Sequence, residues 1–130
     1  MELYEAARVY KGVPWLDQGR SRKGLDCVGL VRLSIRDAYS YDIDPNGVLH
    51  RHMPVGEFIR ATAKFWLRVP KDEARPNDVV AVGRNNVTSL GILAPGATLN
   101  MIAIPLKGIV QEGPCILDRP LRGVFRCRSY

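Results

Sequence analysis

Cys27 follows Asp26 directly and opens a stretch with helical spacing. Val28, Val31, Ile35 and Ala38 recur near the i, i+3, i+7 and i+10 positions of one helix face. Aspartate is a good N-cap, because its carboxylate accepts from the first free N–H groups, so the pattern predicts Cys27 at the first helical position. The unpaired N–H groups and the macrodipole there favour negative charge and lower a thiol pKa. Those are the conditions for a nucleophilic cysteine. Such a thiol also needs a partner that takes and returns a proton, ordinarily an imidazole. The chain has only two histidines, His50 and His52, within Leu49-His50-Arg51-His52. They read as exposed loop side chains between two helices, unless that loop folds over Cys27 and presents a substitute base.

The elements that position Cys27 follow from periodicity and turn chemistry. Residues 2–11 read as a short amphipathic helix with Leu3, Ala6, Ala7 and Tyr10 on one side, stopped by Gly12 and Pro14. Residues 15–25 read as a polar loop, and the Cys27 helix runs to about Tyr39. Asp44-Pro45-Asn46-Gly47 is a turn cluster. Pro54 suits the start of another helix, about 54–66, with Phe58, Ala61, Thr62 and Phe65 at helical spacing. The period then changes. Residues 78–82, 89–93, 98–104, 108–112 and 124–128 read as strands. Gly83-Arg84-Asn85-Asn86, Ala94-Pro95-Gly96 and Lys107-Gly108 are the turns between them. Helices first and a meander second predict an α+β fold, with the helices on an antiparallel sheet of about five strands.

Composition bounds the function. The 130 residues suit a single domain spanning 1–130. A hydrophobic fraction of 46% and a charged fraction of 25% are ordinary for a soluble globular chain. No apolar run reaches the length of a membrane span, and Met1-Glu2-Leu3-Tyr4-Glu5 lacks the blocks of a signal peptide. The expected location is therefore the cytoplasm, or a destination reached without the general secretory route. The net charge is +6, but the arginines are scattered rather than clustered on one element, which argues against nucleic acid as a partner. A solvated basic surface or an acidic partner accounts for them. Three cysteines, Cys27, Cys115 and Cys127, without a CxxC pair, argue against a zinc site or a disulfide framework, and Cys115 and Cys127 read as reduced packed residues unless adjacent strands bring them together to pair. No metal or cofactor is expected.

The motifs resemble the NlpC family, papain-like cysteine peptidases that cut peptidoglycan stem peptides. Gly12-Val13-Pro14-Trp15 is similar to the family's Gly-x-Pro-aromatic opening, with Trp15 where Tyr is common. Gln18-Gly19-Arg20-Ser21 and Gly24-Leu25-Asp26-Cys27-Val28-Gly29-Leu30-Val31 resemble the subgroup encoded in phage tail gene clusters. Arg75-Pro76-Asn77-Asp78-Val79-Val80 is similar to the Pro-Gly-Asp-hydrophobic start of a strand, with Asn77 where Gly is usual. Both residues tolerate positive φ, so the turn is expected to survive. Ser89-Leu90-Gly91-Ile92 resembles the strand that the family opens with its base histidine. Met101-Ile102-Ala103, Gly108-Ile109-Val110-Gln111-Glu112 and Val124-Phe125-Arg126 resemble the strands that follow.

The departures fall on the chemistry. The resemblance puts the nucleophile at Cys27 and the base at Ser89. It puts the third polar residue at Ala103 by motif, or at Met101 by spacing. A serine hydroxyl titrates too high to serve as base, and neither Ala103 nor Met101 can orient an imidazole. Asp78 and Glu112 read as a turn carboxylate and a solvated strand residue. The function the resemblance implies is a phage or phage-like tail-tip component, catalytically degenerate, with other tail-tip or hub proteins, and peptidoglycan, as its expected partners. The alternatives are a working stem-peptide endopeptidase that uses Cys27 with an unconventional base, or a thiol-dependent amidase or acyltransferase. Loss of a base costs orders of magnitude in rate and favours the first reading.

Overall fold

The computed structural model describes residues 1–84, 87–115 and 121–128. Its first helix, α1, spans Leu3–Arg8 and buries Leu3, Ala6 and Ala7. A two-stranded hairpin, β1 (Arg20–Ser21) and β2 (Gly24–Leu25), stands where sequence predicts only loop. Helix α2 spans Cys27–Tyr39 and ends at Ser40, whose φ of 64° is left-handed. Its apolar residues from Val28 to Ile35 are buried, so α2 runs through the interior.

Helix α3 spans Val55–Thr62 and is shorter than the 54–66 expected from spacing. The Thr62 hydroxyl donates back to the Phe58 carbonyl at 2.8 Å. The chain then becomes a strand, β3 (Trp66–Val69). Phe65 and Trp66 are both buried, and the Trp66 ring stacks on Phe125 at 5.3 Å between centroids. Packing across strands overrides the helical spacing that ends at Phe65.

The remaining strands are β4 (Asp78–Arg84), β5 (Val87–Pro95), β6 (Leu99–Ala103), β7 (Gln111–Pro114) and β8 (Leu121–Cys127). With β3 they form a six-stranded sheet in the order β3-β8-β4-β5-β6-β7, every neighbouring pair antiparallel. The count is six rather than about five because β3 was hidden in the helix-like run. Of the expected turn Gly83-Arg84-Asn85-Asn86, residues Asn85 and Asn86 lie outside the described residues.

Alternation divides the sheet into two faces. Val79, Ala81, Leu90, Ile92, Ile102 and Phe125 join the helices in the main core. Val80, Leu93 and Val124 form a smaller cluster, with Met101 and Cys115 packed against it. Two contacts tie the layers together. Asn77 has φ 78°, the left-handed conformation its turn requires. Its side chain accepts from the Tyr4 backbone N–H at 3.1 Å and donates to the Glu2 carboxylate, fixing α1 against the start of β4. Glu112 is not the solvated residue expected. It accepts from Arg8 Nε and Nη2, both at 2.9 Å, and from Asn100 at 3.0 Å, with Lys11 Nζ 3.1 Å away.

Candidate functional site

The start of α2 is over-determined. Asp26 is fully buried, and its two carboxylate oxygens accept three hydrogen bonds. Oδ1 accepts from the Gly29 N–H at 2.8 Å and from Arg20 Nη1 at 2.7 Å, and Oδ2 accepts from the Gln18 N–H at 2.9 Å. Arg20 also donates to the carbonyls of Gly19 and Leu49, at 2.9 and 3.2 Å. The glycines are matters of space. A Cβ on Gly29 would sit 2.1 Å from the Gly19 carbonyl oxygen, and one on Gly19 would sit 2.3 Å from that of Gly24. The residues around Cys27 in the sequence block are thus consumed in building the helix start.

Cys27 stands at the first position of α2, 5% exposed. Burial pushes its thiol up to about 11, against smaller lowering effects from the backbone N–H of Leu90 and the charge of Arg51. Burial thus opposes the preference of a helix N-terminus for negative charge and favours the neutral thiol at pH 7.

The thiol borders a recess of about 30 Å³, lined by Trp15, Cys27, Arg51, Ser89, Ile104 and Leu106. Ser89 of β5 therefore stands beside the cysteine, where the strand resemblance places the base. Trp15 is held there by its backbone, donating from N–H to the Gly108 carbonyl at 2.9 Å and bridging to Leu25. No imidazole lines the recess. His50 and His52 are both exposed, and His50 instead borders a separate cavity with Gln18, Arg20 and Asp44.

Neither position considered for the third residue borders the recess. Met101 and Ala103 line a larger cavity of about 370 Å³, which Ser89 and Gly91 also border. The strand register puts Ser89, Gly91, Met101 and Ala103 on one face of the sheet, opposite Leu90, Ile92 and Ile102. Met101 lies under Gly91, where an added Cβ would come 2.6 Å from its sulfur, and it packs on the minor cluster. Ile104, just past the end of β6, faces the thiol instead. Asp78 lies apart from this chemistry. It is buried, accepts from the Arg75 N–H at 3.0 Å, and takes a two-pronged ion pair from Arg126 Nε and Nη2 at 2.9 and 3.0 Å. Cys115 and Cys127 are free thiols. Among the described residues no cluster of His, Cys, Asp and Glu is placed to hold a metal ion, and no helix is long and apolar enough to cross a membrane.

Sequence reasoning missed Arg51. Between the two exposed histidines it carries no local mark that separates it from a solvated arginine, and only its place in the recess picks it out.

No protein-family model and no curated protein matches the sequence significantly. Solved structures do match the coordinates. The NlpC/p60 domain of the peptidoglycan hydrolase SagA superposes with a TM-score of 0.70 at 18% identity, over 95% of this chain and 94% of that one. The fold is that of NlpC/p60 domains. RipD from Mycobacterium tuberculosis, a non-catalytic NlpC/p60 domain protein described as adapted to peptidoglycan binding, gives 0.64 at 17% identity, over 98% and 95%. The P60 domain of antigen MAP1204 from M. avium subspecies paratuberculosis gives 0.67 at 17% identity, over 99% and 94%. The NlpC/p60 fold thus accommodates hydrolytic and non-catalytic members, and the chemistry of each rests on its own side chains.

Proposed function

We propose that this NlpC/p60-fold domain binds peptidoglycan stem peptides without hydrolysing them, as a component of a phage or phage-like tail tip. The observation that carries the first half is the recess around Cys27. Ser89 and Arg51 stand beside a neutral thiol, and no imidazole lines the space. Peptide cleavage needs a thiolate to attack the carbonyl and an acid to protonate the departing amine. A buried neutral thiol supplies the first poorly, and a serine hydroxyl does not supply the second. RipD offers a precedent on this fold for binding without catalysis. The second half is supported by the block from Gln18 to Val31, which resembles the tail-encoded subgroup. On this reading the protein is made in the host cytoplasm and resides in the virion tail, where other tail-tip or hub proteins are its neighbours.

The test combines binding and chemistry. Purified protein is sedimented with murein sacculi, and the supernatant is examined by mass spectrometry for released stem-peptide fragments. Sedimentation without fragments is the expected result. Fragments that disappear with Cys27→Ala would establish the endopeptidase reading instead. Affinity purification from infected or induced cells addresses location. Recovery of the protein free of tail particles would remove the tail-tip assignment.

A further inference from the structure

Arg51 breaks a rule that the other half-buried arginines of this protein obey. Arg8, Arg20, Arg32 and Arg126 each donate to a carboxylate, and Arg122 donates to the Gly83 carbonyl at 3.0 Å. Arg51 is also half-buried, yet among the described residues it has no acceptor and no ion-pair partner. The ionisable group it acts on is the neutral thiol of Cys27. Among the described residues only Ser34 Oγ and Trp66 Nε1 are buried polar side-chain atoms without a partner, so water serves the Arg51 guanidinium in the free protein, and a ligand acceptor entering the recess can take those donors instead.

The surroundings say what ligand. Arg51 shares its recess with Ser89, with Cys27 and with the apolar residues Trp15, Ile104 and Leu106. Among the described residues no carboxylate lines it. Its volume of about 30 Å³ has room for about two water-sized oxygens. That is the size of a carboxylate head and too small for a peptide unit with its side chains. Guanidinium is matched to carboxylate by geometry as well as charge, since two of its N–H groups can donate in parallel to both oxygens.

We propose that Arg51 and Ser89 form a receptor for a carboxylate of a peptide ligand, with Leu106 and Trp15 against the chain that carries it. This rests on the peptidoglycan-binding reading and names the group it would recognise, since stem peptides end in and carry carboxylates.

The experiment measures binding of synthetic stem tetrapeptides by isothermal titration calorimetry. One peptide has free carboxylates, one is amidated at its C-terminus, and one is amidated at its internal carboxylate. One amidated form should bind at least tenfold more weakly than the free acid, which identifies the carboxylate read. Arg51→Gln should weaken the free acid to the level of that amide, and Ser89→Ala should weaken it several-fold. Arg60→Gln, which removes an exposed charge from α3, should leave affinity unchanged. Equal affinity for all three peptides by a protein that still sediments with sacculi overturns the carboxylate receptor and leaves peptidoglycan binding standing. Loss of affinity equal in Arg51→Gln and Arg60→Gln also overturns it, as non-specific charge attraction. Absence of binding to both peptides and sacculi defeats both readings. If Arg51→Gln fails to fold, the wild-type comparison of acid with amides decides.

Discussion

Arg20 reaches Asp26 at 2.7 Å, one residue before the thiol of Cys27, and that pair fixes the helix start whatever the thiol does. The Asp26 carboxylate satisfies a helix N–H, a loop N–H and a guanidinium together. The block around Cys27 therefore has a structural role that does not depend on any chemistry at the thiol.

Asp26→Ala should destabilise the protein by about 2–4 kcal/mol, since it removes a cap and strands a half-buried cation. Thermal unfolding followed by circular dichroism should show a melting temperature lower by roughly 10 °C. Cys27→Ala should have a far smaller effect. Equal losses in the two variants would mean that the thiol, not the ion pair, holds this corner.

Cys27 should resist alkylation at neutral pH. Its thiol is raised to about 11 by burial, so labelling by iodoacetamide should climb only as pH approaches that value. Cys127 is raised to a similar level by burial, so the sites must be separated by peptide mapping. Rapid labelling of Cys27 at pH 7–8 would contradict the account. The sign for stability follows. A thiol held above its ordinary value of 9.0 costs the fold nothing below pH 9, and its burial weakens the fold as pH rises from 9 toward 11.

Ser89→His should be tolerated. A larger side chain in a packed interior usually costs about 1–3 kcal/mol. Here Ser89 is exposed and borders the 370 Å³ cavity, so a ring has space to occupy. The expected change in stability is under about 1 kcal/mol. A thiolate–imidazolium pair should form and bring the Cys27 labelling profile to lower pH. Normal folding with an unmoved profile would show that residue 89 does not present its side chain to the thiol. Ala103→His is the companion substitution to test, because Ala103 borders the same cavity as Ser89.

Glu112 should set part of the acid limit of stability. Arg8 holds its carboxyl down to about 2, with smaller help from Asn100 and Lys11, against the cost of burial. Because the folded value is depressed, the full contribution is present above about 4.5 and is lost as pH falls toward 2. Solvent screening at the more exposed Arg8 limits it to about 1–2 kcal/mol. Glu112→Gln should flatten the pH dependence of urea midpoints between pH 4.5 and 2. An unchanged slope would assign the acid limit to other carboxylates.

The parts of the fold legible in sequence were those with one dominant local signal. Asp26 and the spacing from Val28 to Ile35 gave α2 to the residue at its start, and alternation after Asp78 gave the sheet. Where local and tertiary preferences competed, sequence reading failed. Trp66 to Val69 follows a helical run and is too short to declare its own period, so β3 became visible only through its pairing with β8. Glu112 looked solvated because its partner Arg8 lies 104 residues away in the chain. At the site, the strand motif draws attention to Ser89, which lines the recess that Cys27 borders. Arg51 could not be, since nothing local tells a half-buried unpartnered guanidinium from a solvated one.

The placement of β8 between β3 and β4 has a consequence for how the protein is made. On the ribosome, β3 emerges more than fifty residues before β8, its one sheet neighbour among the described residues, and Trp66 must wait for Phe125. Until that last strand arrives the nascent chain carries two unpaired strand edges and an uncovered aromatic pair half, surfaces that invite association with other chains. Late closure of long-range pairings also slows folding. Production of this protein should therefore be sensitive to translation speed and to chaperone supply, more so than its size suggests.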